Sequence, residues 1–174
     1  MWIEIGLDVS SKNNYHSFHL KDSVEKRLAR IHSSSRDSSR TPMQWDSSEN
    51  AGFTTGTPWF YVNPNYYKIN VADEEKDPQS ILNFYRRCLK YRKKSEVALW
   101  GDYTEYYKAS ECLFVYRRSY KNKHLLIVCS FSPHKLIWHN IREFRGRKGR
   151  LVICNYKNPK RGILKPYEAR VYEY

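Results

Sequence analysis

Arg40, Gln44 and Trp45 bring a guanidinium, an amide and an indole together in one run, Ser35-Arg36-Asp37-Ser38-Ser39-Arg40-Thr41-Pro42-Met43-Gln44-Trp45-Asp46. A planar guanidinium such as that of Arg40 donates two parallel hydrogen bonds to a pair of neighbouring oxygens, or braces a carboxylate. Gln44 and Trp45 read equally well as pocket lining and as packing for the loop that follows. Arg36 and Asp37 read as an ion pair bracing that loop, and Phe53 as its anchor. Other chemistry is hard to find. The six histidines are scattered, and none pairs with a Ser or Cys in a nucleophile motif. Cys88, Cys112, Cys129 and Cys154 lack both Cys-x-x-Cys spacing and a metal-like pattern of nearby histidines, so no metal and no cofactor is expected. Each sits in an apolar or aromatic run and is expected to be a buried free thiol.

Several elements must position these residues. Asp22 or Ser23 can cap a helix that carries Val24, Leu28 and Ile31 on one face. From Arg36 to Asn70 the chain is rich in Gly, Pro, Asn, Thr and Ser without sustained periodicity, a long loop of the kind that is functional or disordered. A second helix is expected from Asp77 as N-cap and Pro78 in the first turn, with Ile81, Leu82, Tyr85, Cys88, Leu89 and Arg92 as its stripe. Lys90, Arg92, Lys93 and Lys94 then meet the negative end of its dipole. Beyond Ser95 the period falls to two. The runs Val97–Tyr103, Thr104–Lys108, Cys112–Tyr120, Lys123–Phe131, Leu136–Asn140, Leu151–Tyr156 and Ala169–Tyr174, separated by turn residues, predict an antiparallel β-domain. The expected domains are 1–95 and 96–174.

The run around Arg40, followed by Asn50-Ala51-Gly52-Phe53-Thr54-Thr55-Gly56 and Val62-Asn63-Pro64-Asn65-Tyr66, resembles the segment after the eighth barrel strand of α-amylase-family glucosidases, the oligo-1,6-glucosidase and trehalose-6-phosphate hydrolase group. Glu4-Ile5-Gly6 resembles the end of that group's Gly-Glu-Glu-Ile-Gly stretch, with Ile3 in place of its first Glu, and Leu164 to Tyr172 resembles its closing strand. The resemblance implies a mixed fold: the C-terminal remnant of a (β/α)8 barrel followed by an antiparallel Greek-key β-sandwich. It implies that Arg40 points into the subsite for the non-reducing glucose, and that the chain serves hydrolysis of α-glucosidic bonds in short oligosaccharides, or of trehalose 6-phosphate. In the family the nucleophilic Asp, the acid/base Glu and the transition-state Asp stand on barrel strands four, five and seven, upstream of any residue here. A retaining mechanism needs two carboxyl groups roughly 5 Å apart. No catalytic residue is therefore expected in this chain, which should be inactive unless the barrel is supplied.

Charge and composition weigh the alternatives. The net charge of +13 suggests a polyanion partner, such as a nucleic acid bound by aromatic strands and the basic loop Arg142 to Arg150. Residues 1–95 carry only +4 and residues 96–174 carry +9, concentrated in that loop, and no RNA-binding signature is present. Nucleic acid is not expected as a partner, and the loop reads first as solvated and second as a phosphate site. A carbohydrate-binding role for the β-domain is permitted by 15 tyrosines and five tryptophans. No signal peptide or apolar run of transmembrane length is seen, so a cytoplasmic, membrane-free location is expected. Self-association through helices whose apolar faces suit a barrel is also expected.

Overall fold

The computed structural model describes residues 22–34 and 39–174. The expected strand end Met1–Leu7, the loop Ser10–Asn14 and the Arg36–Asp37 pair lie outside the described residues. The chain divides into two compact units, Met1–Ser80 and Ile81–Tyr174.

In the first unit, helix α1 (Val24–Ser34) starts at Ser23, whose hydroxyl accepts the Lys26 N–H at 3.4 Å. Asp22, the other cap candidate, instead pairs with Arg30 at 2.6 Å. The stretch from Thr41 to Asn70 holds no strand and no α-helix. Two short 3-10 turns, Glu49–Gly52 and Pro64–Tyr67, organise it. It leads into a short helix, α2 (Val71–Lys76), capped by Asn70, whose side chain accepts the Asp73 N–H at 2.9 Å. Pro78 does not open the next helix as the sequence suggests. The Asp77 carboxylate accepts the Gln79 N–H at 2.8 Å and its carbonyl accepts the Ser80 N–H at 3.0 Å, which closes a turn.

The second unit opens with α3 (Ile81–Lys94) and α4 (Glu96–Trp100). Val97 to Trp100 was expected as a strand; it is helical because Ser95 caps it, its hydroxyl accepting the Ala98 N–H at 3.3 Å. A short apolar run has too few residues for its period to distinguish the two states. Strands β1 (Asp102–Tyr106), β2 (Leu113–Tyr120), β3 (Lys123–Ser130), β5 (Arg150–Cys154) and β7 (Ala169–Glu173) form one antiparallel sheet in the order β1-β2-β3-β7-β5. Strands β4 (Leu136–Ile137) and β6 (Ile163–Leu164) pair separately. β2 and β3 are in register from Leu113↔Ser130 to Tyr120↔Lys123, joined by a two-residue turn in which Lys121 takes a φ of +53°.

Alternation along these strands gives the sheet two buried faces. Val115, Leu126 and Val128 pack on one face with Trp138, Ile141, Phe144 and Leu164, and form the main core. Leu125 packs on the other face with Val97 and Ala98 of α4, where Tyr91, Ile127 and Val171 join it. Tyr91 Oη donates to Glu173 at 2.6 Å, which ties α3 to the strands of the same unit. Burial and that bond push the Tyr91 hydroxyl up to about 12. The main core also holds an ion pair: Glu168 and Arg170 are 0% and 2% exposed and 3.0 Å apart. Burial pushes the Glu168 carboxyl up, but bonds from Arg170 and the Lys165 N–H outweigh it and hold the group below its usual range.

One expectation needs correction. None of the four thiols is fully buried: Cys88, Cys129 and Cys154 are half-buried, and Cys112 is exposed in the turn leading into β2. Much of the α3 stripe is exposed, consistent with a face suited to strands outside this chain. Ile81, Tyr85 and Leu89 are 80%, 62% and 41% exposed, and no residue of the helix is fully buried. Among the described residues no helix is long and apolar enough to cross a membrane.

Candidate functional site

The 39–70 loop folds on its own side chains. Asn50, Ala51 and Gly52 lie in succession in the left-handed region, at φ of 52°, 57° and 64°. Asn and Gly tolerate that conformation, and Ala51 is carried between them with its side chain fully buried. The resulting reversal brings the Ala51 carbonyl back to accept the N–H groups of Trp45 (2.9 Å) and Asp46 (3.2 Å). Gly52 is required by close approach as well: a Cβ there would lie 2.7 Å from Oδ2 of Asp46. Asp46 accepts the backbone N–H of Ser48 at 2.8 Å and also its hydroxyl, and these two bonds hold its carboxyl below the usual range.

Gln44 ties the two ends of the loop together. Its Nε2 donates to Oδ1 of Asn65 at 2.9 Å and to the Ile69 carbonyl at 2.5 Å. The carbonyls of Gln44 and Trp45 accept the first N–H groups of α2, from Val71 and Ala72, at 3.0 and 2.9 Å. Those donors have no partner inside the helix, so the 44–45 backbone acts as its cap. Asn70, 3% exposed, donates to the Tyr66 carbonyl and the Asp73 carboxylate, both at 2.9 Å.

The Gln44 amide is thus directed into the loop, whereas Trp45 is half exposed. Arg40 stands at the solvent surface at the start of the described loop. Phe53, expected to anchor it, is 40% exposed, and the buried ring is that of Phe60 at 3%, flanked by Trp59 and Tyr61 with centroids 5.3 and 4.4 Å away. A loop of this kind presents one guanidinium, that of Arg40, and flat ring faces on a backbone fixed by its own amides, a combination that suits hydroxyl-rich, ring-shaped ligands. Among the described residues no group of three His, Cys, Asp or Glu could hold a metal. The sequence reading missed Asn50, Asn65 and Asn70 as the organising residues. The signal was present, since Asn recurs where backbone donors and acceptors fall outside regular structure.

Residues 4–101 match the family model described as alpha amylase, catalytic domain, more than half of the chain. The chain belongs to the α-amylase family. Among its curated α-amylase-family relatives, an oligo-1,6-glucosidase of Halalkalibacterium halodurans is 39% identical over 85% of this chain, and a trehalose-6-phosphate hydrolase of Escherichia coli is 37% identical over 84%. The crystal structure of Bacillus licheniformis trehalose-6-phosphate hydrolase superposes with a TM-score of 0.88 over 99% of this chain, at 31% identity. The chain spans 27% of the length of either curated relative and 32% of that structure.

Proposed function

We propose that this chain serves the hydrolysis of α-glucosidic bonds in short oligosaccharides, of the oligo-1,6-glucosidase type, by supplying a substrate loop and a closing β-domain to a catalytic barrel. The observation that carries this reading is the self-braced 39–70 loop, in which Gln44 and the Asn50–Gly52 reversal fix the backbone beside Trp45 and leave Arg40 at the surface. In this reading Arg40 binds the hydroxyls of the non-reducing glucose, Trp45 lines the pocket and Gln44 shapes it. The attacking and protonating carboxylates come from barrel strands outside this chain, so the isolated chain is inactive.

The β-domain is, in the same proposal, a Greek-key sandwich, supported by the return of β7 between β3 and β5 and by the β4–β6 layer over the main core. Four free thiols support a reducing, cytoplasmic setting. The bare Ile81, Tyr85 and Leu89 stripe supports association, with barrel strands or with a second copy.

Expression together with the upstream barrel of a related oligo-1,6-glucosidase tests the proposal. Activity on p-nitrophenyl α-glucoside and isomaltose should appear only when both chains are present. Arg40→Ala should then lower kcat/KM by about 2–4 kcal/mol, the loss expected for one charged donor in a desolvated site. A trehalose 6-phosphate preference over isomaltose would move the chain to the other branch of the group. An unchanged kcat/KM in Arg40→Ala would remove that residue from the site.

A further inference from the structure

The second unit contains a cleft of about 1040 Å³ between the Arg145–Gly149 loop and the turn around Gly162. Arg145, Arg147, Lys148 and Arg161 line it, and no Asp or Glu side chain does. Arg170 also reaches it, but its guanidinium is already engaged by Glu168, the Ile163 carbonyl and Tyr172. Elsewhere on this unit three cations are matched by acids of other elements: Arg117 by Glu143, Arg150 by Glu173 and Lys121 by Glu96. Among the described residues, Arg145, Lys148 and Arg161 form neither ion pairs nor side-chain hydrogen bonds, and Arg147 has only the ring of Phe144, 5.8 Å from its guanidinium carbon. Four like charges around one concavity repel one another, and clefts of this form concentrate the opposite charge.

The loop that presents these charges is seated. Phe144 at its base is fully buried and stacks on Tyr174, centroids 4.1 Å apart at 14°. Gly149 lies flat against the same Tyr174 ring, where a Cβ would come within 2.5 Å of it. Across the cleft, the Gly162 carbonyl accepts the Trp138 N–H at 2.9 Å, which fixes the turn beside Arg161. Tyr172, Tyr174 and Leu151 add apolar surface to the cationic rim.

From this arrangement we infer that the cleft binds a phosphate ester of a small ring-bearing molecule, its phosphate held by Arg145, Arg147, Lys148 and Arg161 and its body resting on the Tyr172 and Tyr174 side of the cleft. Guanidinium groups recognise phosphate through paired donors. A bounded cleft of this size suits a compact anion, whereas a nucleic acid strand needs an extended groove with successive exposed rings. This site is independent of the Arg40 loop, and its test does not depend on glucosidase activity.

Isothermal titration of the full chain at low salt, with glucose 6-phosphate, ATP, inorganic phosphate, glucose and a single-stranded RNA oligonucleotide, distinguishes the ligands. The inference expects at least one phosphate ester to bind at least tenfold more tightly than inorganic phosphate, with no heat from glucose. It expects affinity to fall as salt is raised. The double variant Arg145→Ala/Arg161→Ala should lose at least tenfold in affinity, while Lys108→Ala, outside the cleft, should keep it. Equal binding of inorganic phosphate and the esters, tighter binding of RNA than of either ester, or retention of affinity by the double variant would each overturn it. The exposed positions of Arg145 and Arg161 leave the fold intact, which an unchanged thermal midpoint of the double variant would verify.

Discussion

The two units are held together in different ways. The β-unit rests on a continuous apolar core, in which Val115, Leu126, Val128, Phe144 and Leu164 are almost wholly removed from water. The loop unit buries little beyond Ala51, Phe60 and Asn70, and draws its order from amide and carboxylate side chains bonded to backbone: Gln44 to Ile69, Asn70 to Tyr66, Asp46 to Ser48. Apolar burial is cooperative and accumulates with area, whereas each hydrogen bond to a neutral group contributes about 1 kcal/mol net. The β-unit is therefore built to persist, and the loop unit to hold a surface in shape.

Substitutions can break this contrast. Phe144→Ala removes the buried ring that stacks on Tyr174 and should cost about 3–5 kcal/mol, read as a lowered urea midpoint of the β-unit. Loss of less than about 1 kcal/mol would mean that the core does not pass through this residue. In the loop unit, Gly52→Ala forces a side chain into a left-handed position against the Asp46 carboxylate. It should destabilise the loop by about 1–3 kcal/mol, visible as faster proteolytic cleavage between residues 41 and 70 with the β-unit midpoint unchanged. A parallel fall in both would show that the two units unfold together.

Much of the β-unit was legible before the structure. The apolar and aromatic runs between Cys112 and Phe131, broken by the turn at Lys121 and Asn122, gave β2 and β3 nearly as they stand, because such residues bounded by turn signals suit a pleated, covered sheet. The misreadings were local. Val97 to Trp100 became a helix through the Ser95 cap, and Ile163–Leu164 pairs with Leu136–Ile137 across a long separation that carries no short-range signal. The site divided in the same way. The Arg40 to Asp46 run stood out by its motif, but the Asn side chains that fix the loop left no periodic trace. Nor did the seating of the basic loop on Phe144 and Tyr174, since a single buried ring in a charged stretch reads as a solvated turn.

The smallest effect is expected on the α3 stripe, whose apolar side chains are exposed. Ile81→Ser on the exposed stripe of α3 should change β-unit stability by less than about 0.5 kcal/mol, while reducing any self-association measured by sedimentation velocity. A loss of 2 kcal/mol or more would mean that the stripe is covered within this chain.

Hydrogen exchange of the isolated chain, followed by mass spectrometry, tests the division between the units most directly. Amides of β2, β3 and β7 should exchange only through global opening. Those of residues 41–70, including the Ala51 N–H bonded to Ser48 and the Trp45 N–H bonded to Ala51, should exchange at least a hundredfold faster through local opening. Equal protection of the two regions would contradict the account, because it would make the 41–70 loop part of the same cooperative core as the sheet.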